Sequence, residues 1–360
     1  MQTRAAVLRD PAGSFSIETI FLDDPGPDEV LVEIVGVGFC HTDLLPRVAS
    51  IGMPIVCGHE GSGIVQAAGS EVADVAVGDR VVISFDFCGN CRSCRAEHPA
   101  YCSTFFPRNM SGRRLDGSTN AKDTAGQYIS TRWFGQSSFA GHAVVAARNV
   151  VRVDADLPLR LLGPLGCGFQ TGAGAVLNSL AVQPDSSIVV FGAGAVGLAA
   201  VLAARTVGAD IIVAVDLNGE RLELASQLGA THVLHGAADN LGKQLRAVTG
   251  GADYAIDTTG APKVIGTAID ALHSSGVCGL VGAQHGDLRI NPMQIATGKT
   301  IKGIVEGDSV PRQFIPQLID YWRRGAFPFE RLITTFPLSD IGAAEQAVRA
   351  GSVVKAVLIP

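Results

Sequence analysis

Hydrophobic and polar positions along the first part of the chain follow the short pattern of strands. Up to about residue 165, brief apolar runs alternate with turn signals such as Asp-Pro, Gly-Pro and Gly-Asp. These runs predict strands at 5–8, 29–35, 63–67 and 80–83. Helical periodicity is scarce here, so we expect a β-rich domain.

From about residue 169 the pattern changes to strands that alternate with helices. Continuous apolar runs predict strands at 188–191, 211–215, 232–234, 254–257, 277–281 and 301–305, the first five separated by helix-like segments. This alternation predicts a parallel sheet covered on both faces, as in doubly wound dinucleotide-binding domains. Helices at 313–324 and 341–350 and a last strand at 355–359 are predicted to follow.

Composition and charge narrow the function classes. The 360 residues are 47% hydrophobic and 17% charged, which excludes a disordered chain. A net charge of −6 disfavours a nucleic-acid partner. The N-terminus lacks the apolar core of a secretory signal, and the uncharged run 188–204 contains three glycines and is too short to span a membrane. We therefore expect a cytoplasmic protein with no membrane partner, in which clustered cysteines serve as metal ligands or reactive thiols.

A glycine motif predicts dinucleotide binding. Gly192, Gly194 and Gly197 form G-x-G-x-x-G between a predicted strand and a predicted helix, and Asp216 ends the next strand. Such glycines allow a tight turn, approach of a pyrophosphate and close helix packing, while the acid binds the adenosine ribose. Asp216 would repel a 2′-phosphate and so favours NAD over NADP. Arg221 is close enough in sequence to accommodate a 2′-phosphate. The alternative is a tight turn without a ligand.

Four cysteines predict a closed metal site. Cys88, Cys91, Cys94 and Cys102 have the spacing C-x2-C-x2-C-x7-C. Four thiolates close a tetrahedron around zinc, which makes such a site structural. Two disulfides, chance clustering or an iron–sulfur cluster are the alternatives.

A second set of candidate metal ligands is scattered along the chain. Cys40, His59 and Cys167 would form an open zinc site, with a fourth position left for water or substrate. Taken singly, each could equally be an ordinary core or surface residue, and spacing alone does not decide.

Taken together, these motifs resemble the zinc-dependent medium-chain alcohol dehydrogenases over essentially the whole chain. The matching segments are Gly38–Asp43, Gly58–Gly61, the four-cysteine lobe, Gly166–Gly172 and Gly192–Gly197. Segments 134–140, 163–166 and 304–307 look like the aryl (benzyl) alcohol dehydrogenase branch. The resemblance implies an α/β protein with a GroES-like β-rich catalytic domain and a Rossmann doubly wound parallel sheet.

The implied domain boundaries follow the family. The catalytic domain would cover 1–168, with the structural zinc lobe at about 84–105, and the NAD-binding domain 169–304. Residues 305–360 would return to the catalytic domain. Relatives are homo-oligomers, so a homodimer or homotetramer is expected.

The resemblance also implies a role for each site residue. Two zinc ions are expected per subunit, the catalytic one held by Cys40, His59 and Cys167. Asp43 would orient His59, and Glu60 would lie behind the metal as an exchange ligand. The implied contacts to NAD are His41 and, more weakly, Lys355 for phosphate, and Thr171 and Val196 for the nicotinamide and its ribose.

One position departs from many relatives. Thr42 would hydrogen-bond the substrate hydroxyl and start a proton relay. Many relatives place a second histidine three residues later, where this chain has Leu45. The relay would then pass through the nicotinamide ribose to His41 or water.

The expected activity is reversible oxidation of a primary, benzylic or allylic alcohol to the aldehyde, with hydride transfer to NAD. Nine aromatic residues between positions 84 and 140 are consistent with an apolar pocket, although they could equally form core or a subunit contact. The enzymatic alternatives are a polyol, secondary or aliphatic alcohol dehydrogenase, a zinc-free quinone reductase and a glutathione-dependent formaldehyde dehydrogenase. The non-enzyme alternative is a zinc-lobe binding module.

Overall fold

The computed structural model describes residues 1–48, 51–283 and 286–360. They form two compact units, which we call the first and the second unit. The first unit contains Met1–Cys167, Val310–Pro316 and Glu330–Pro360. The second unit contains Gly168–Ser309 and Gln317–Phe329. The C-terminal segment therefore contributes to both units.

The strands and α-helices are labelled in chain order. The strands are β1 Gln2–Leu8, β2 Ser16–Leu22, β3 Glu29–Gly38, β4 Ile55–Val56, β5 Gly61–Ala68, β6 Arg80–Ile83, β7 Ala121–Asp123, β8 Tyr128–Ile129, β9 His142–Ala146, β10 Val150–Arg152, β11 Ser187–Phe191, β12 Ile211–Asp216, β13 His232–His235, β14 Ala252–Asp257, β15 Leu272–Leu280, β16 Thr300–Gly303, β17 Ile333–Pro337 and β18 Lys355–Ile359. The α-helices are α1 Arg92–Arg95, α2 Phe105–Met110, α3 Gly168–Gly174, α4 Ala195–Val207, α5 Gly219–Leu228, α6 Leu241–Thr249, α7 Pro262–Ala271, α8 Pro292–Ile295, α9 Pro311–Arg323 and α10 Ile341–Ala350.

The first unit is built on two sheets. One has the strand order β4-β1-β2-β7-β8, and the other has the order β10-β6-β5-β3-β18-β17, with β9 also paired to β3. The central strand β3 pairs antiparallel with β5, and Val37 lies opposite Gly61. Polar side chains on the outer face of β3, such as Glu33, alternate with buried valines and isoleucines, as expected for a strand with one solvated face.

The second unit holds a six-stranded sheet in the order β13-β12-β11-β14-β15-β16, with every pair parallel. Strand β11 is buried along its whole length, which is the reason its sequence shows no alternation. In the core of the second unit, Val189, Phe191 and Val213 of the sheet pack against Ile265 and Ile269 of α7. This sheet and the β-rich first unit confirm the predicted fold class.

Apart from β6 and β18, the predicted strands differ from the observed bounds at one or both ends, and β15 and β16 are two of these. The strand predicted at 277–281 begins at Leu272, which pairs with Ala252 of β14; the irregular stretch before the next pair at Val277 is polar, includes His273 and Ser274, and leaves no apolar pattern. The strand predicted at 301–305 ends at Gly303, where the chain turns into a short helical segment that begins at Glu306. Within the described ranges, no helix has the length and apolarity that crossing a lipid bilayer requires.

Candidate metal centres and dinucleotide site

Strand pairing in the first unit brings two distant motifs together. Cys40 follows β3 and precedes a 3-10 helix at His41–Arg47, while His59 immediately precedes Glu60 and the start of β5. The Gly38 amide donates to the Glu60 carbonyl at 2.9 Å, which closes this end of the β3–β5 ladder. A side chain at Gly38 would put its Cβ 1.8 Å from Glu60 Oε2, so glycine is required there.

Cys167 reaches the same place from a third segment. It follows the 3-10 turn Gly163–Gly166, and Gly166 packs so closely on β6 that an added Cβ would lie 2.1 Å from the Ile83 carbonyl oxygen. The Ser84 hydroxyl donates to the Gly166 carbonyl at 2.7 Å and holds this turn. As a result, ligand atoms of Cys40, His59, Glu60 and Cys167 all lie within 4.8 Å of one another.

The His59 ring is held in one orientation. Its Nδ1 lies 2.7 Å from Asp43 Oδ1, and both side chains are fully buried. Because a carboxylate oxygen only accepts, Nδ1 carries the proton and Nε2 has the free lone pair. Among the described residues, no hydrogen-bond partner reaches this buried Nε2 atom. A buried acceptor beside two thiols suits a zinc ion, so the residues fit the metal that the sequence predicts.

The charges at this cluster favour metal ligation. Hydrogen bonding with Cys167 and the charge of His59 lower the pKa of Cys40 well below that of an ordinary thiol, against the opposing effect of burial. Burial opposes protonation of His59, but the charge and hydrogen bond of Asp43 outweigh it and raise the pKa well above its usual value. A metal at Nε2 would therefore replace a proton.

Glu60 forms a buried ion pair with Lys355. The ammonium lies 2.8 Å from both carboxylate oxygens, with side-chain exposures of 3% for Lys355 and 0% for Glu60. Burial raises the pKa of Glu60 despite the neighbouring Lys355 charge. The sequence assigned Lys355 to a cofactor phosphate, but such burial leaves its ammonium little surface for an anion. Its observed partner is Glu60.

Trp133, Phe134 and Gln136 surround His59, and sequence reasoning gave them no role at the site. The Trp133 indole N–H donates to Asp43 Oδ1 at 3.1 Å, and the Phe134 ring stacks on the imidazole with centroids 4.3 Å apart. Gln136 donates to the His59 carbonyl at 2.8 Å. Phe134 and Gln136 belong to the segment 134–140 that resembles the aryl branch, and Trp133 directly precedes it, so a signal existed, but it carried no contact information.

The proposed relay residues lie on the 3-10 helix after Cys40. Asp43 Oδ2 accepts from the Cys40 amide at 3.1 Å, which caps this helix. His41 is exposed, whereas Thr42 and Leu45 are partly buried. The chain therefore passes from the partly buried Cys40 to a solvent-exposed imidazole within one residue.

The four-cysteine lobe is a second candidate metal centre. All four sulfur atoms lie within 4.8 Å of one another, with Cys91 Sγ 3.5 Å and Cys88 Sγ 3.9 Å from Cys94 Sγ. Tetrahedral zinc with bonds near 2.3 Å needs sulfurs about 3.8 Å apart, so the cluster fits this metal. Backbone amides of Cys91 and Cys88 donate to sulfur at 3.3 Å each, which stabilises thiolates here.

Thiol acidity varies among the ligand candidates, because burial raises the pKa of the lobe thiol Cys94 to about 12. Hydrogen bonds from the Cys94 and Ser103 amides lower the pKa of the Cys91 thiol to about 5. Burial raises the pKa of Cys278 to about 12 and that of Cys57 well above the ordinary value. All eight cysteines lie in the described ranges and none is in a disulfide, so the disulfide alternative for the lobe has no support in the structure.

The glycine motif forms the turn between β11 and α4 in the second unit. Gly192 has a φ of +93°, and a Cβ on Gly197 would lie 1.7 Å from the Gly192 carbonyl oxygen. Around Gly194, which caps α4, a Cβ would meet only Arg221 Nη1 at 3.7 Å. Space beside the first amides of a 13-residue helix suits a pyrophosphate, so the loop fits a dinucleotide. Val196 lies in the first turn of this helix and is partly buried.

Asp216 is engaged in the same loop. Its Oδ2 accepts from the Ala193 amide at 2.6 Å and its Oδ1 accepts from the Asn218 amide at 2.8 Å. The carboxylate thus braces the glycine turn. Elsewhere in this unit, Thr171 Oγ1 lies 3.5 Å from Glu306 Oε2 in the buried interior. Sequence reasoning gave Glu306 no role.

Comparisons with known proteins agree with this geometry. Residues 26–155 match the alcohol dehydrogenase GroES-like domain, and residues 195–322 match the zinc-binding dehydrogenase domain. A geraniol dehydrogenase of Castellaniella defragrans is 45% identical over 100% of this chain and 98% of its own length. The solved benzyl alcohol dehydrogenase of Acinetobacter calcoaceticus is 41% identical with a TM-score of 0.96, covering 100% of this chain and 99% of that one. An alcohol dehydrogenase zinc-binding domain protein from Burkholderia ambifaria is 46% identical, with a TM-score of 0.98 over 100% and 99% of the two chains.

Proposed function

The chain belongs to the zinc-dependent medium-chain alcohol dehydrogenase family, and we propose that it oxidises primary allylic or benzylic alcohols to aldehydes, reversibly, with NAD as the hydride acceptor. The observation that carries the proposal is the unpartnered, buried Nε2 of His59 beside the thiols of Cys40 and Cys167. An open three-ligand set of this kind leaves a coordination position for an alcohol oxygen. The four-cysteine lobe would hold a second, structural zinc.

The chain's own residues would prepare the catalytic metal and remove a proton. Cys40, His59 and Cys167 would hold zinc, which acts as a Lewis acid on the alcohol oxygen. Asp43 keeps the His59 proton on Nδ1, so that Nε2 stays available. The Thr42 hydroxyl would accept the proton of the alcohol as it gives up its own, and the relay would continue through the nicotinamide ribose to the exposed His41 or to water, because Leu45 carries no titratable group.

The second unit would bind NAD, whose nicotinamide ring takes the hydride. Amides of the Gly192–Gly197 turn and the start of α4 would bind the pyrophosphate. Asp216 would accept from the adenosine ribose, with Arg221 beside it. Thr171 and Val196 are proposed to contact the nicotinamide and its ribose.

The substrate class is supported by relatives and by one local feature. Geraniol is an allylic primary alcohol and benzyl alcohol a benzylic one, and these names belong to similar proteins covering the whole chain. The local feature is an aromatic ring in contact with a candidate metal ligand: Phe134, itself 3% exposed, stacks on His59. Aromatic content by itself is weaker support, because Phe85, Phe105 and Phe139 are buried in the core.

The test is a comparison of kcat/KM for geraniol, benzyl alcohol, ethanol and sorbitol with NAD, together with a zinc analysis. We expect two zinc ions per chain and a preference for geraniol or benzyl alcohol. Cys40→Ser should remove turnover and leave one zinc in a folded, NAD-binding protein. Cys278→Ser is the matched control and should keep both zinc ions and the activity. A preference for sorbitol or ethanol would overturn the substrate class, and a fully active Cys40→Ser variant would overturn the metal assignment.

Assembly and location belong to the same proposal. We expect a homodimer or homotetramer in the cytoplasm, as the family resemblance implies. Light scattering of the zinc-loaded protein and fractionation of the source cells test the two statements. A monomer, or recovery from a membrane or secreted fraction, would contradict them.

A further inference from the structure

The turn from Trp133 to Ser138 wraps the segment that carries His59. Gln136 accepts from the Gly61 amide at 3.0 Å and donates to the His59 carbonyl at 2.8 Å. The Ser137 hydroxyl accepts from the Trp133 amide at 2.9 Å and donates to the Val56 carbonyl at 2.6 Å. The turn is therefore joined to residues on both sides of His59.

Within this turn, Trp133 contacts the site through Asp43. Asp43 Oδ1 accepts from His59 Nδ1 at 2.7 Å, from the Gly58 amide at 2.9 Å and from the Trp133 indole at 3.1 Å. Trp133 and Asp43 are both 0% exposed, so water does not compete for this bond. A carboxylate with several fixed donors has one stable orientation, and that orientation sets the direction of the His59 ring.

Phe134 holds the same ring by its face. Its ring lies 4.3 Å from the imidazole centroid at an interplanar angle of 24°. To reach this position Phe134 adopts a φ of +49°, which is uncommon for a bulky residue. Such backbone strain persists where the surroundings impose it, commonly at functional sites.

We propose that Trp133 is a positioning residue of the catalytic zinc site, which fixes the His59 imidazole by donating to Asp43 while the adjacent Phe134 fixes the ring face. This inference rests on the proposed function, because it assumes that zinc binds His59. It assigns a task to the segment whose only signal in the sequence was resemblance to the aryl branch.

The main test is Trp133→Phe in the zinc-loaded enzyme, with Trp322→Phe as the matched control. Trp322 is the other tryptophan of the chain and belongs to the second unit, where its ring packs on Phe329. Trp133→Phe should lose catalytic zinc to a chelator about tenfold faster, the lower end of the range for residues that support metal ligands. With cobalt(II) in the catalytic site, the visible absorption bands should shift in Trp133→Phe and stay unchanged in Trp322→Phe.

A double-mutant cycle tests whether Trp133 acts through Asp43. In an Asp43→Ala background, Trp133→Phe should have little further effect on zinc loss, because the bond it removes no longer exists. Equal effects in the two backgrounds would refute action through Asp43. A Trp133→Phe variant that melts earlier but keeps the parental zinc-loss rate and cobalt spectrum would reduce Trp133 to a packing residue and overturn the proposal.

A measurement on native Trp133 covers the case in which Trp133→Phe does not fold. In Trp322→Phe, Trp133 is the sole tryptophan. Removing and restoring zinc should change its emission reversibly, and the added substitution His59→Ala should abolish that change. Trp133 emission that does not change when zinc is removed and restored would overturn the proposal. If the parent protein binds two zinc ions, the proposed function stands even when Trp133 proves not to position His59. Failure of this proposal and failure of the proposed function are therefore distinguishable.

Discussion

Replacing Lys355 by Met should destabilise the first unit strongly. The substitution keeps the length of the side chain and removes the only charge that lies 2.8 Å from both oxygens of Glu60 in the described part of the chain. The Glu60 side chain is 0% exposed, so water cannot replace the ammonium. Removing one partner of a buried ion pair costs about 3–5 kcal/mol, because the other charge stays buried.

The size of the effect follows from burial rather than from the ion pair as such. At an exposed site the same loss would cost about 0–1 kcal/mol. Lys263→Met, at an exposed position of α7, is therefore the control and should change the free energy of unfolding by less than about 0.5 kcal/mol. Glu60→Gln combined with Lys355→Met should recover much of the loss, because no buried charge then remains.

The assay is urea unfolding at fixed excess zinc, followed by Trp133 fluorescence in a Trp322→Phe background so that the signal reports on the first unit. Zinc content is measured for every variant.

The pH dependence of the stability loss in Lys355→Met is an independent test. Since burial raises the pKa of Glu60, its protonated form is favoured in the folded state, and the loss in Lys355→Met should shrink as the pH falls from 8 to 6. A single variant that loses less than about 1 kcal/mol, or a double variant no more stable than the single, would refute this reasoning.

Two further predictions concern the lobe and the cofactor. Cys102→Ser should lower bound zinc from two ions to one and lower the melting temperature, since structural zinc in small peptides supplies about 10–16 kcal/mol of apparent binding energy. Metal analysis tests this prediction, with Cys57→Ser, a buried thiol outside both clusters, as the control. Two zinc ions retained in Cys102→Ser would contradict it. Asp216→Asn should narrow the kcat/KM preference for NAD over NADP while keeping an acceptor for the Ala193 amide, whereas Asp216→Ala should weaken both cofactors because the glycine turn loses its brace. Kinetics with both cofactors test this, and an Asp216→Ala variant that uses NADP well would show that the brace is dispensable.

Local patterns were sufficient to predict most of the strands and helices and to group the four cysteines of the lobe. The predicted bounds of β6 and β18 are those of the structure, because each strand is a short apolar run ended by a turn or by the chain terminus. The four cysteines of the lobe could be grouped from spacing, since they lie within 15 consecutive residues. The start of β15 could not be predicted, because a polar, irregular stretch separates the first pair, at Leu272, from the regular pairing that begins at Val277.

The sequence by itself determined the strand and helix periods, the glycine turn, the closed cysteine set and the identity of the open ligand set through family resemblance. Only the tertiary structure decided which groups meet. Lys355 lies 295 positions from Glu60, and Trp133 lies 90 positions from Asp43. Neither separation leaves a periodic signal, because such contacts arise where strands pair and turns pack on them. The physical reason is burial: in the interior each polar group must find a partner, and the fold, not the local pattern, determines which one is within reach.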